Sequence, residues 1–149
     1  YIKALKISPD YAEAHNNLGV AQQEKGNLKT AIGSYKQALE IRPNYADAQY
    51  NIGVILQEMG DLDDAIASYQ QAIKIRPNNA DAHNNLGVTL PEKGDLEAAI
   101  ESFKEALKVR PDHTDSFVNM ILLSFSSRNI SMKKIGLTSP FESMYRGYP

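Results

Sequence analysis

The sequence predicts an all-α solenoid, a stack of antiparallel helical hairpins. Pro9, Pro43, Pro77 and Pro111 recur at a constant step of 34 residues. The same step relates Leu18, Ile52, Leu86 and Met120, the aromatic series Tyr1, Tyr35, Tyr69 and Phe103, and the small series Ala4, Ala38, Ala72 and Ala106. Within each unit, apolar residues at helical spacing form two runs separated by a glycine turn. A strict period of this size marks a repeat array, because a single hairpin leaves an apolar face that a neighbouring copy must cover.

The unit Asn44–Asn79 shows how each half forms. Ala46, Ile52, Ile55 and Leu56 make the stripe of a first helix. Gly60 ends it, since glycine accepts the left-handed backbone of a helix terminus. Leu62, Ala65, Ile66, Tyr69, Ala72, Ile73 and Ile75 make the stripe of a second helix, stopped by Pro77. Small residues (Gly53, Ala65, Ala72) allow close approach, and Ile52 and Tyr69 fill between.

In chain order, helices are expected near 1–7, 11–25, 28–42, 45–59, 62–76, 79–93 and 96–110, with an eighth from about 113 to 126. The array then covers 1–127: a half repeat 1–9, full repeats at about 10–43, 44–77 and 78–111, and the first helix of a fourth at 112–127. Tyr1 already lies in a second-type helix, so a piece of a longer array is expected. First helices open on Asp10-x-x-Glu13, Asn44-x-x-Asp47, Asn78-x-x-Asp81 and Asp112-x-x-Asp115, which read as capping boxes. Pro91 stands where Gln23 and Gln57 stand in the other repeats. It removes an amide donor and crowds the carbonyl of Gly87, so this helix should bend or stop near Leu90.

Leu18-Gly19, Ile52-Gly53 and Leu86-Gly87, the Ala–aromatic–Ala series and the closing prolines resemble the tetratricopeptide repeat, over residues 1 to about 123. His15, Gln49, His83 and Phe117 stand at that family's usual tryptophan position. The resemblance implies a right-handed superhelix that binds protein or peptide, with the first helices lining a concave groove.

Asn17, Asn51, Asn85 and Asn119 keep the 34-residue step, each just before the buried Leu, Ile or Met. Equivalent positions align in a stack, so the amides should form a ladder, which the resemblance places in the groove. Flanking groove positions are Glu13, Asp47, Asp81 and Asp115; Asn16, Tyr50, Asn84 and Val118; and Val20, Val54, Val88 and Leu122. An asparagine offers donor and acceptor together and can pair with both the N–H and C=O of extended peptide. Alternatively it bonds the neighbouring helix and orients the stack. The candidate peptide-binding set is Asn17, Asn51, Asn85 and Asn119 with Asn16, Tyr50 and Asn84. No Lys or Arg falls at these positions, so the carboxylate clamp that some tetratricopeptide domains use for chaperone C-termini is not expected. The ladder, HNNLGV, the GDL and GNL turns and PDHTDSFVNM instead resemble the superhelical region of O-GlcNAc transferases, where such a ladder grips extended substrates. Three readings follow: an interaction scaffold, the substrate-adaptor segment of a larger transferase, or a self-assembly module.

Reactive chemistry is not evident. There is no phosphate loop, no H-E-x-x-H and no nucleophile elbow. His15 and His83 lie two repeats apart, roughly 20 Å at about 10 Å per packed helix, too far to share a metal. His113 sits in a turn with no evident partner. Asn129-Ile130-Ser131 is a short pattern of the kind that arises by chance, and the acids at Asp61–Asp64 and Glu92–Asp95 read as solvated turns. No catalytic residue, metal or cofactor is therefore expected, and the chain reads as a non-enzyme. Absence of cysteine fits a reducing compartment, so an intracellular, cytoplasmic protein is expected. No apolar run approaches the roughly 20 residues that span a membrane. The net charge of -2 argues against nucleic acid. The expected partner is a protein or extended peptide, neutral to basic, because the acids at the groove mouth make it acidic.

Residues 128–149 lack the repeat signature. From Ser124 on, Arg128, Lys133, Lys134 and Arg146 stand against Glu142 alone, a net of +3. Ser139-Pro140-Phe141-Glu142 has the form of a capping box with proline at the first helical position, giving a short helix to Gly147 with Phe141, Met144 and Tyr145 on one side. This basic tail is expected either to cap the last helix or to lie in an acidic groove, its own or a neighbour's, which would make a homo-oligomer.

Overall fold

The computed structural model describes residues 11–134, with side chains to Ser126. Among these, seven α-helices form and no strand: α1 (Ala12–Glu24), α2 (Leu28–Ile41), α3 (Ala46–Met59), α4 (Leu62–Ile75), α5 (Ala80–Thr89), α6 (Leu96–Val109) and α7 (Thr114–Lys134). A 3-10 turn, Leu90–Lys93, continues α5. The helix expected over 1–7 and the tail helix expected near 140–147 lie outside the described residues.

Helices pair as α1/α2, α3/α4 and α5/α6, and each second helix packs on the first helix of the next hairpin. Gly26, Gly60 and Gly94 close the first half of each hairpin at φ of 75°, 82° and 81°. Behind each glycine an amide returns to the helix: Asn27 to Gln22 O, Asp61 to Leu56 O and Asp95 to Leu90 O, at 2.9, 2.9 and 3.2 Å. These bonds satisfy carbonyls that the helix end leaves open.

Each hairpin is locked by one contact. Tyr35, Tyr69 and Phe103 are buried, and their rings lie flush on Gly19, Gly53 and Gly87. A Cβ at those glycines would meet the ring at 2.6, 2.7 and 2.7 Å, so no larger residue fits without displacing the second helix. Alanines complete the close approach: Ala31, Ala38, Ala65, Ala72, Ala99 and Ala106 are fully buried.

Pro91 acts as the sequence indicates. The α-helix stops at Thr89, and the chain tightens into the 3-10 turn before Gly94. The first two hairpins differ from the third here. Tyr35 OH donates to Gln23 Oε1 at 3.0 Å, and Tyr69 OH to Gln57 Oε1 at 2.7 Å. The third hairpin replaces both partners together, with Pro91 facing the Phe103 side, so no buried polar group is orphaned.

Two expectations need correction. The capping boxes at Asn44 and Asn78 do not form: α3 and α5 open one residue later, with Tyr45 and Asn79 as N-caps, and α1 opens on Tyr11, its Asp10 lying outside the described residues. Of these, Asn79 Oδ1 accepts from the Ala82 amide at 3.1 Å, while Glu13, Asp47 and Asp81 are drawn to arginines instead. The last helix also runs past its expected end near 126 to Lys134, because no Gly or Pro interrupts the sequence before Gly136.

The array is curved. Consecutive first helices touch directly (α1–α3, α3–α5, α5–α7), whereas no such contact joins α2 to α4 or α4 to α6. The first helices therefore lie on the inner side of the bend.

Candidate functional site

The asparagine series runs along this inner side, at the seams between first helices. The last three amides each reach back one repeat. Asn51 Nδ2 donates to Asn16 Oδ1 at 3.4 Å, Asn85 Nδ2 to Tyr50 OH at 3.1 Å, and Asn119 Nδ2 to Asn84 Oδ1 at 3.3 Å. All four ladder residues are half-buried, while Asn16 and Asn84 are buried. Asn51, Asn85 and Asn119 thus occupy equivalent places with Asn16, Tyr50 and Asn84 as their rungs, and Asn17 lies half-buried at the matching position of α1. Asn85 Oδ1 also accepts from Asn84 Nδ2 at 3.3 Å, whereas Asn51 Oδ1 and Asn119 Oδ1 bond to none of the described residues.

Tyr50 ties the ladder to the core, its ring 5.9 Å from that of Tyr69 at 46°. Burial pushes the Tyr69 phenol far above the ordinary range, with Tyr50 adding to the shift; burial, with help from Glu24, pushes Tyr35 up to about 12. Both phenols keep their protons and donate to the glutamines. Beside the ladder runs a second series, Val20, Val54, Val88 and Leu122, with Val20, Val88 and Leu122 exposed.

The acids next to the ladder are not free. Arg42 binds Glu13 at 3.0 Å, Arg76 grips Asp47 through both nitrogens at 2.7 and 3.1 Å, and Arg110 grips Asp81 at 3.3 Å twice. These arginines keep the same 34-residue step as their acids, a matched phase that could have revealed the pairing. The expected acidic groove mouth is accordingly neutralised. Asp115 is the exception, with no ion-pair partner among the described residues.

His113, expected to lack a partner, is buried and doubly bonded. Its Nε2 lies 3.0 Å from Asp81 Oδ1 and its Nδ1 accepts from the Ser116 amide at 3.2 Å, capping α7. Burial tends to raise the Asp81 carboxyl, but His113 and Arg110 outweigh it and hold the group below the ordinary range. The Ser116 hydroxyl lies 2.8 Å from His113 Nδ1 and 3.0 Å from Asn84 Oδ1. Acid, imidazole and hydroxyl in line resemble a nucleophile relay, but Ser116 is fully buried and its hydroxyl is already engaged. The chain instead locks the last seam: Asp81, Asn84 and Asn85 lie on α5, and Ser116 and Asn119 on α7.

Of the other histidines, His83 Nε2 bonds Pro77 O at 2.9 Å. No cluster of three or more His, Cys, Asp or Glu that could hold a metal occurs among the described residues. None of the described helices is long and apolar enough to cross a membrane.

Comparison with known proteins adds the family. The TPR repeat profile matches residues 1–26, 23–60 and 55–92, and the tetratricopeptide repeat profile matches 80–113. The chain belongs to the tetratricopeptide repeat family. Comparison with curated proteins gives no match. Among solved tetratricopeptide-like structures, MamA superposes with a TM-score of 0.78 at 26% identity, over 85% of this chain and 74% of that one. The first TPR of Spaghetti (RPAP3), bound to HSP90 peptide SRMEEVD, gives 0.75 at 15% identity, over 78% and 93%, a likeness of fold alone. A Thermobaculum terrenum O-GlcNAc transferase mutant gives 0.69 at 25% identity, over 75% of this tetratricopeptide array but 22% of the transferase.

Proposed function

We propose that the array is a non-catalytic scaffold that holds an extended polypeptide along its inner face. The observation that carries this reading is the half-committed ladder. One N–H of each of Asn51, Asn85 and Asn119 locks a seam, while the Oδ1 of Asn51 and of Asn119 bonds to none of the described residues. A fixed amide with a spare acceptor suits the backbone N–H of an extended chain, so recognition would read backbone more than side chains. The exposed valines and Leu122 beside it provide apolar cover. With Glu13, Asp47 and Asp81 paired, the favoured partner is neutral along most of its length, with a basic residue near Asp115.

The test is peptide affinity by calorimetry, using unstructured peptides selected against the array. Asn51→Ala with Asn119→Ala should weaken binding by about 1–3 kcal/mol, roughly 5- to 150-fold. The helical circular dichroism should stay the same. Unchanged affinity with the fold intact would leave the amides a purely structural role.

A second reading has one observation in its favour, the likeness to the transferase. Here the array would be the substrate adaptor of a larger glycosyltransferase-like protein, and the same groove would present the acceptor polypeptide. Self-assembly, the third reading, requires the ligand to be another copy, which light scattering across a concentration series distinguishes.

A further inference from the structure

The exposed side of α7 carries an apolar stripe that none of the described residues covers. Phe117, Val118, Leu122 and Phe125 are 53%, 45%, 60% and 63% exposed. Met120, Ile121, Ser124 and Phe125 outline a depression of about 150 Å³ beside them. In the three preceding hairpins, the second helix packs on the glycine side of the first, with an aromatic ring against that glycine. In α7 the glycine's place is taken by Ile121, one step of 34 after Gly87. A single Cβ at Gly87 would already stand 2.7 Å from Phe103, so a branched side chain leaves no room for a ring in that register. This face is built for a cover other than another hairpin half.

We propose that the cover is the chain's own segment 135–149, seated through Phe141, Met144 and Tyr145. This proposal does not rest on the peptide-binding reading, although the two share Val118 and Leu122 at the edge of the inner face. The segment has the reach. The α-helix is described as far as Lys134, and from there Phe125 and Ile121 lie about 14 and 20 Å back along the axis at a rise of about 1.5 Å per residue. Residues 135–140 can span up to about 20 Å, which brings Phe141 and Tyr145 level with that part of the stripe. Phe141, Met144 and Tyr145 recur at helical spacing behind Ser139-Pro140, a helix-opening signal. Their side would meet the uncharged stripe without burying a charge.

Area argues against a second copy as the occupant. Aromatic side chains bury roughly 150–250 Å² each, so four half-exposed apolar residues offer on the order of 400 Å². That is about half of the roughly 800 Å² per partner that a stable complex buries. A tethered segment needs less, because its effective concentration is of millimolar order.

The test uses the whole chain and the double variant Phe141→Ser/Met144→Ser, with Phe125→Ser in each background. The unaltered chain should be monomeric by light scattering and bind little of the apolar dye ANS. The tail variant should bind several-fold more dye and melt at lower temperature. Phe125→Ser should lower the melting temperature in the unaltered chain and have little further effect in the tail variant, as partners in one contact behave. Additive melting shifts with unchanged dye binding would overturn the proposal. So would a dimeric parent chain that Phe125→Ser dissociates, since a second copy would then hold the face.

Discussion

Gly53 and Tyr69 are two halves of one contact, and each makes sense of the other's recurrence. The ring needs the missing Cβ, and the missing Cβ leaves a slot that only a flat side chain fills. Gly53→Ala should cost about 1–3 kcal/mol, as overpacking of a tight core does. Gly33 is the control. It lies inside α2 with nothing within 4 Å of the place a Cβ would take, so Gly33→Ala should stabilise by about 0.5–1 kcal/mol through helix propensity. Urea titration of both variants checks the pair of opposite signs. At this scale the sequence shows the glycine and aromatic series plainly, but not that they face each other. Partners across a turn cannot be read from either series alone. His113 shows the same limit more sharply, since its acid lies 32 residues upstream and its position carries no repeat signal.

Helix lengths were legible wherever a Gly or Pro ends the pattern, as at Gly60 and Pro77, and obscure where two side chains compete. The opening of α3 is such a case. Asp47 can in principle cap a helix or pair with Arg76, and the two-pronged arginine contact prevails. Pro91 and Phe103 form the element-level exception, and their coupling can be measured. Phe103→Tyr alone should cost about 1–3 kcal/mol, because its hydroxyl would be buried without the glutamine that serves Tyr35 and Tyr69. Pro91→Gln alone should stabilise by about 1–3 kcal/mol by restoring a helical amide. The two together should exceed the sum of the singles by about 1–3 kcal/mol, because the glutamine relieves the penalty of the buried hydroxyl. A double-mutant cycle in urea measures that surplus, and strict additivity would refute the pairing.

Among the described residues, each helix touches its sequence neighbours, the first helices also touch one another on the inner side, and little else is in contact. Stability is then a chain of neighbour terms, highest where a hairpin is covered on both flanks. Amide hydrogen exchange should be slow in α3 and α4, whose hairpin packs on a described neighbour at each flank, and mass spectrometry of peptic fragments would resolve this. The inner and outer sides of the bend also differ mechanically. The inner helices are in touch and buttoned by amides from Asn51 to Asn119, while the outer helices stand apart. Flexing can open or close the outer spacing at small cost, but the inner edge keeps its length. Its graduations are one repeat wide, about 10 Å, and an extended polypeptide advances about 3.3–3.6 Å per residue. Any strand laid on that edge is therefore metered at three residues to the mark, and the count stays constant while the rest of the molecule breathes.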